Sequence, residues 1–136
     1  MPRWRRGGRI AEYFYDSWSI IAHLASPKLK PYFRAGRGRT TWLNLMEVYW
    51  VLLREGKSGS EANEIVSSFN PYLMEFTFEE VQDAMELRLK WHEGGRRISY
   101  VDAIGYSLAR DRHMQFLTGD PAFRRIPGVA FIGIPK

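Results

Sequence analysis

Short apolar runs alternate with helical periodicities along the chain. Tyr13 to Tyr15 is an aromatic run suited to a buried strand, and Asp16-Ser17 behind it is a start signal for a helix over Trp18 to Ala25. Thr40 to Leu53 suits a helix that ends at Gly56, and Ser60 is a cap for a further helix, Glu61 to Phe69, stopped at Asn70-Pro71. Leu73 to Phe76 reads as a short strand. Thr77 to Glu80 is a Thr-x-x-Glu capping box that opens a long helix toward Gly94-Gly95. Ser99 opens another helix through about His113, and two strands follow, Gln115 to Thr118 and Val129 to Ile132. Strands separated by helices require parallel crossovers. The pattern therefore predicts an α/β domain with a small central parallel sheet flanked by helices on both faces.

The length of 136 residues gives one core and leaves no room for two comfortable ones. An apolar fraction of 45% excludes a disordered chain, and the absence of Cys removes thiolate nucleophiles, disulfides and Cys-based metal sites. No stretch approaches the ~20 apolar residues of a membrane span, and the N-terminus lacks an apolar signal core, so the expectation is a cytoplasmic protein without a membrane partner. The formal charge is +5, and nine of the twenty basic residues sit in two runs without an acid. Arg3, Arg5, Arg6 and Arg9 beside Gly7 and Gly8 read as a flexible basic tail over residues 1–10, ahead of a single domain over 11–136. Lys28, Lys30, Arg34, Arg37 and Arg39 read as a basic loop, either merely solvated or facing a nucleic-acid backbone.

In such a sheet a ligand sits beyond the carboxyl ends of the strands. Asp16 follows the first strand, Asp120 follows the strand that ends at Thr118, and Asp102 lies in the first turn of the helix opened by Ser99, so all three fall at one rim. Each also has a local explanation as a helix cap or a capping-box partner. Glu47 has none. It is the only charged residue from Thr40 to Leu53, and its neighbours on the helical surface are Leu43, Trp50 and Val51. The wheel is apolar nearly all round, which predicts a largely buried helix whose carboxylate needs a partner, a proton or a cation. An internal ion pair with an Arg is the rival explanation.

The Asp-Ser-Trp after the first strand, the Glu in Met46-Glu47-Val48-Tyr49, the Asp in Tyr100-Val101-Asp102-Ala103 and Thr118-Gly119-Asp120 together resemble the acidic quartet of a PIN-domain ribonuclease. The four motifs come in that order at gaps of 31, 55 and 18 residues. The likeness runs from Ala11 to Ile132, and the compact size is similar to VapC-type toxins of toxin–antitoxin pairs. The resemblance implies an endoribonuclease dependent on Mg²⁺ or Mn²⁺, commonly a homodimer, held in check by a small VapB-like antitoxin that covers the acidic cleft. It makes Asp16, Glu47, Asp102 and Asp120 the metal-binding and catalytic set, acting on RNA through water activated by the ion.

The chemistry agrees. Phosphodiester hydrolysis needs a nucleophilic water and charge neutralisation on the phosphoryl oxygens, which divalent ions on hard oxygen donors supply. Ser17 and Thr118 are candidate supporting donors, and Arg34, Arg37 and Arg39 are candidate RNA contacts. Other motifs fail. His92-Glu93 lacks a second His four residues after the first, because Arg96 stands there, and Gly36 to Thr40 lacks the Gly-Lys ending of a phosphate loop. The alternative from another class is a non-catalytic RNA-binding or regulatory module on the same fold, in which the acids are structural.

Overall fold

The computed structural model describes residues 5–6 and 9–133, with side chains from Ala11 onward. Arg3, Gly7 and Gly8 of the basic N-terminal run lie outside the described residues. Within that run β1 (Arg5–Arg6) pairs antiparallel with β2 (Arg9–Ile10).

The main sheet has four parallel strands in the order β4-β3-β5-β6, formed by β3 (Tyr13–Tyr15), β4 (Gly38–Arg39), β5 (Gln115–Thr118) and β6 (Val129–Phe131). Alternation across β3 and β5 divides the core. Phe14 and Phe116 face a cluster built on α4 (Phe78–Glu93) and α5 (Tyr100–Asp111), while Tyr15 and Leu117 face α1 (Ser17–Ala25), α2 (Trp42–Arg54) and α3 (Gly59–Ser67). All four strand residues are fully buried, a contribution of roughly 1.5–3 kcal/mol each. Helices thus cover both faces of a parallel sheet, as the alternation predicted.

Three local expectations are corrected. The third helix starts at Gly59, because Ser58 and not Ser60 caps it and Glu61 closes a capping box with that serine. Leu73 to Phe76 is no strand: one parallel bridge joins Leu73 to Thr40, and the chain then moves into the cap of α4. The stretch from Pro27 to Arg39, read as loop, contains a 3-10 helix (Pro27–Phe33) and then β4. That strand exists because Gly38 offers no Cβ where the Tyr15 ring crosses it, and Tyr15 stacks on Phe33 at 4.0 Å while its hydroxyl donates to the Tyr32 carbonyl.

The helix α2 is also not buried all round. Leu45, Val48 and Leu52 face the core, but Trp42, Met46, Trp50 and Leu53 form an exposed apolar stripe at intervals of four, four and three residues. A helix packed on a sheet by one face leaves the other uncovered, whatever its residues. Among the described residues, no helix is long and apolar enough to cross a membrane.

Candidate active site

The chain leaves β3 for β4 on one side and returns to β5 on the other, so the carboxyl ends of β3 and β5 mark the reversal where open α/β sheets bind ligands. Asp16 stands directly after β3. Its carboxylate accepts the Ser19 amide at 2.6 Å, so the cap reading holds, yet the side chain also lines an open cleft of about 320 Å³ with Glu47, Asp102 and Asp120. Cap and cleft are served by one residue because α1 begins at the rim itself.

The other three acids arrive from separate segments. Asp102 sits in the first turn of α5, where Ser99 Oγ accepts its amide at 3.1 Å. Asp120 caps the 3-10 turn Pro121–Phe123 by accepting the Ala122 amide at 3.0 Å. Glu47 lies in the second turn of α2, half-buried, and its carboxylate meets the Ser17 hydroxyl rather than an arginine. Among the described residues Glu47 has no ion pair, and that rival explanation fails.

Electrostatics show how closely the acids share the space. Burial pushes the Asp16 carboxyl from 3.8 up to about 7, with the Asp102 charge adding to the rise and hydrogen bonds from Thr118 and Ser19 opposing it. Asp102 is pushed to about 6, first by burial and then by the charges of Glu47 and Asp120, against a hydrogen bond from Ser99. The Asp102 charge disfavours ionisation of Asp16, and the Glu47 and Asp120 charges disfavour that of Asp102, which is the condition a cation relieves. No three His, Asp or Glu side chains among the described residues form a ready-made metal cluster. Mg²⁺ keeps several waters and takes only one or two carboxylates directly, so four acids around one cleft fit such an ion as a donor set.

The supporting hydroxyls are where the sequence reading put them. Thr118, fully buried, accepts the Asp120 amide at 3.1 Å and hydrogen-bonds Asp16, tying two of the acids to one strand end. Ser17 donates to Glu47 and accepts the Asn44 side-chain amide at 3.2 Å. Asn44 was missed. It is 1% exposed in an apolar helix, held by the Thr41 hydroxyl at 2.7 Å, and it fixes Ser17 against Glu47. Its signal was the one that flagged Glu47, a polar residue on a core-facing helix. Trp18 and Trp50 wall the cleft, and Trp18 packs over Gly119 so closely that any Cβ there would overlap its ring.

The basic loop does not behave as expected. Arg39 is 3% exposed, because its place in β4 opposite Phe14 carries the side chain inward, where it donates to the Gly38 carbonyl at 2.7 Å. Arg37 is bound to Glu12 at 2.6 Å and to the Pro31 carbonyl at 2.9 Å, beside the amino end of β3 and so at the sheet edge opposite the acids. Arg34 is exposed. Of the three arginines proposed to follow RNA, Arg39 is thus excluded by burial.

A solved toxin–antitoxin complex from Klebsiella pneumoniae is similar at 19% identity over 87% of this chain and 95% of that one, with a TM-score of 0.64. DNA-bound VapBC from Salmonella typhimurium is similar at 16% identity over 90% of this chain and 98% of that one, with a TM-score of 0.69. PAE2754 from Pyrobaculum aerophilum is similar at 16% identity over 88% of this chain and 89% of that one, with a TM-score of 0.63. At such identities the likeness is one of fold. No curated protein matches the sequence. The family model for the PIN domain matches residues 13–129, from the first residue of β3 to the first of β6 and across all four acids, and by that match the chain belongs to the PIN domain family.

Proposed function

We propose that the chain is the ribonuclease of a VapBC-type toxin–antitoxin pair, hydrolysing RNA phosphodiester bonds with Mg²⁺ or Mn²⁺. The carrying observation is that four carboxylates from four segments line one cleft, with Asp16 raised by burial and the Asp102 charge, and Asp102 raised by burial and the charges of Glu47 and Asp120. Asp16, Glu47, Asp102 and Asp120 would hold the ion. Bound there, it supplies positive charge against the phosphoryl oxygens and an acidified water as nucleophile.

The chain's own residues do the rest. Thr118 fixes Asp16 and Asp120 relative to the end of β5, and the Asn44–Ser17 pair fixes Glu47 relative to α1, so these three acids are oriented before RNA arrives. Trp18 and Trp50 line the open cleft and offer apolar surface beside the acids.

The partner reading draws on the toxin–antitoxin complexes to which the fold is similar, together with the exposed Leu24, Trp50 and Leu53. Trp50 borders the cleft, so a VapB-like antitoxin seated there covers apolar surface and acids at once. The same reading takes the protein to be a homodimer that acts in the cytoplasm.

Asp102→Asn tests the reading. It keeps the side-chain size and leaves the Ser99 cap in place, while it removes one charge from the cleft. RNA cleavage in Mg²⁺ or Mn²⁺ is expected to fall by at least about 100-fold, since even outer partners of a metal site are worth about 10–100-fold. EDTA should abolish cleavage by the wild type. Equal cleavage by wild type and Asp102→Asn, with contaminating nuclease excluded by a mock purification, would refute the assignment.

A further inference from the structure

A second concavity, of about 370 Å³, lies between α4, α5 and the segment that leads from Asp120 to β6. Its size is within the roughly 300–1,000 Å³ of small-ligand sites. Lys90, Arg96, Arg110 and Arg125 surround it, and no acidic side chain lines it. These cations come from positions scattered over the sequence, so no basic run announces them. Half-buried Trp91 forms the floor with Tyr106, whose hydroxyl donates to the Pro127 carbonyl at 2.6 Å and holds the wall in place.

The cations are available. Lys90 and Arg125 have no carboxylate partner among the described residues, and Arg110 has only the exposed Asp111 at 3.6 Å, a pairing of little strength. Arg96 donates to the Ala122 carbonyl at 3.3 Å, which leaves the rest of its guanidinium open, and it sits over the Trp91 ring at 5.8 Å. Arg125 adopts φ +63, the left-handed region that a β-carbon disfavours, so the chain holds this arginine at the pocket at a local cost.

The pocket and the acidic cleft have no lining residue in common, but two elements run from one to the other. Asp102, Tyr106 and Arg110 follow one another at intervals of four along α5, so Arg110 stands about 12 Å along the helix axis from the cleft, at about 1.5 Å per residue. On the other side Asp120 and Arg125 lie on one short connection. A strand of RNA in the cleft has phosphates at that range. Acids in the cleft repel the backbone, and cations a few nucleotides away would offset that repulsion.

We propose that this cationic pocket is a phosphate-binding subsite for single-stranded RNA, holding the backbone a few nucleotides from the scissile bond in the role that the Arg34–Arg39 loop was expected to fill. The proposal rests on RNA being the substrate. Binding of a fluorescein-labelled single-stranded oligoribonucleotide to the full chain, in EDTA so that nothing is cut, is measured by anisotropy against KCl. The wild type is compared with Lys90→Ala/Arg125→Ala and with Arg34→Ala, and circular dichroism checks folding.

Each lost contact to a single strand lowers the salt slope by about 0.7, so the double variant should lose about 1.4 units and bind about 25-fold more weakly at 0.1 M salt if affinities converge at 1 M. Arg34→Ala should stay near the wild type. An unchanged slope in the double variant, an equal loss in Arg34→Ala, or no binding by the wild type overturns the subsite. Cleavage of the same RNA by the wild type in Mn²⁺ is scored separately. Cleavage with an unchanged slope removes the subsite alone, and a lowered slope without cleavage removes the ribonuclease reading and leaves an RNA-binding pocket.

Discussion

Replacing Asp16 by Asn should stabilise the metal-free protein at alkaline pH while destroying its activity. Asp16 is 2% exposed, and its carboxyl is raised from 3.8 to about 7 chiefly by burial. A carboxyl raised on folding binds more protons in the folded chain than in the unfolded one. Its contribution is therefore intact below the unfolded value and is lost as pH rises from about 4 to about 7. At roughly 1.4 kcal/mol per pH unit the ionised group costs about 4 kcal/mol at pH 8, of which about 2–3 kcal/mol accrues between pH 5 and pH 8. Asn caps a helix as well as Asp does, so the bond from the Ser19 amide survives the change. Urea unfolding in EDTA at pH 5 and pH 8 should show the wild type losing stability over that interval and Asp16→Asn losing much less. Adding Mn²⁺ at pH 8 should restore the wild type and do little for the variant, because the ion supplies the missing countercharge. If the two proteins lose stability equally between pH 5 and pH 8, Asp16 does not carry the penalty, and the electrostatic account of the cleft is wrong.

Two further changes test the surroundings of the site. Ser17→Ala leaves the buried Asn44 amide without its acceptor and frees Glu47, so Mn²⁺ affinity measured by titration calorimetry should drop about 10–100-fold; an unchanged affinity would show that Glu47 needs no positioning. Gly105→Ala gains about 1 kcal/mol of helix propensity, but its Cβ would stand 2.7 Å from the Phe14 ring and 3.1 Å from Phe116, and overpacking costs about 1–3 kcal/mol. A lowered melting temperature is expected, and a raised one would mean that the two rings yield freely.

Much of this architecture is visible in the residues, and the exceptions have physical causes. Aromatic and apolar runs at Tyr13–Tyr15 and Gln115–Thr118 specify strands buried on both faces, since no other element puts successive side chains into two cores. β4 left no such trace. It is two residues long and depends on the Tyr15 ring lying over Gly38, a contact between distant positions. Periodicity also says which residues share a helical face but not whether anything covers that face, which is why α2 read as buried. The four acids were legible because strand ends and helix starts place them at one rim. Asn44 was overlooked beside Glu47 although both are polar interruptions of the same apolar helix. Ser58-Gly59-Ser60-Glu61 contains the capping box that Ser60 alone obscured.

The register of Tyr15 against Leu117 has a bearing on when the protein becomes what it is. Chains emerge from the ribosome N-terminus first, and β3 is made early while its central neighbour β5 is made near the end. Until β5 pairs, Asp16 lacks the Thr118 hydroxyl and Asp120 has no fixed position. Every partial product that stops short of residue 115 therefore lacks the acidic cleft, however much of α1 to α5 has formed. Translation and competence are separated by the slow closing of a long-range parallel contact. Under the ribonuclease reading, a cell making this chain is given that interval before the first molecule can act.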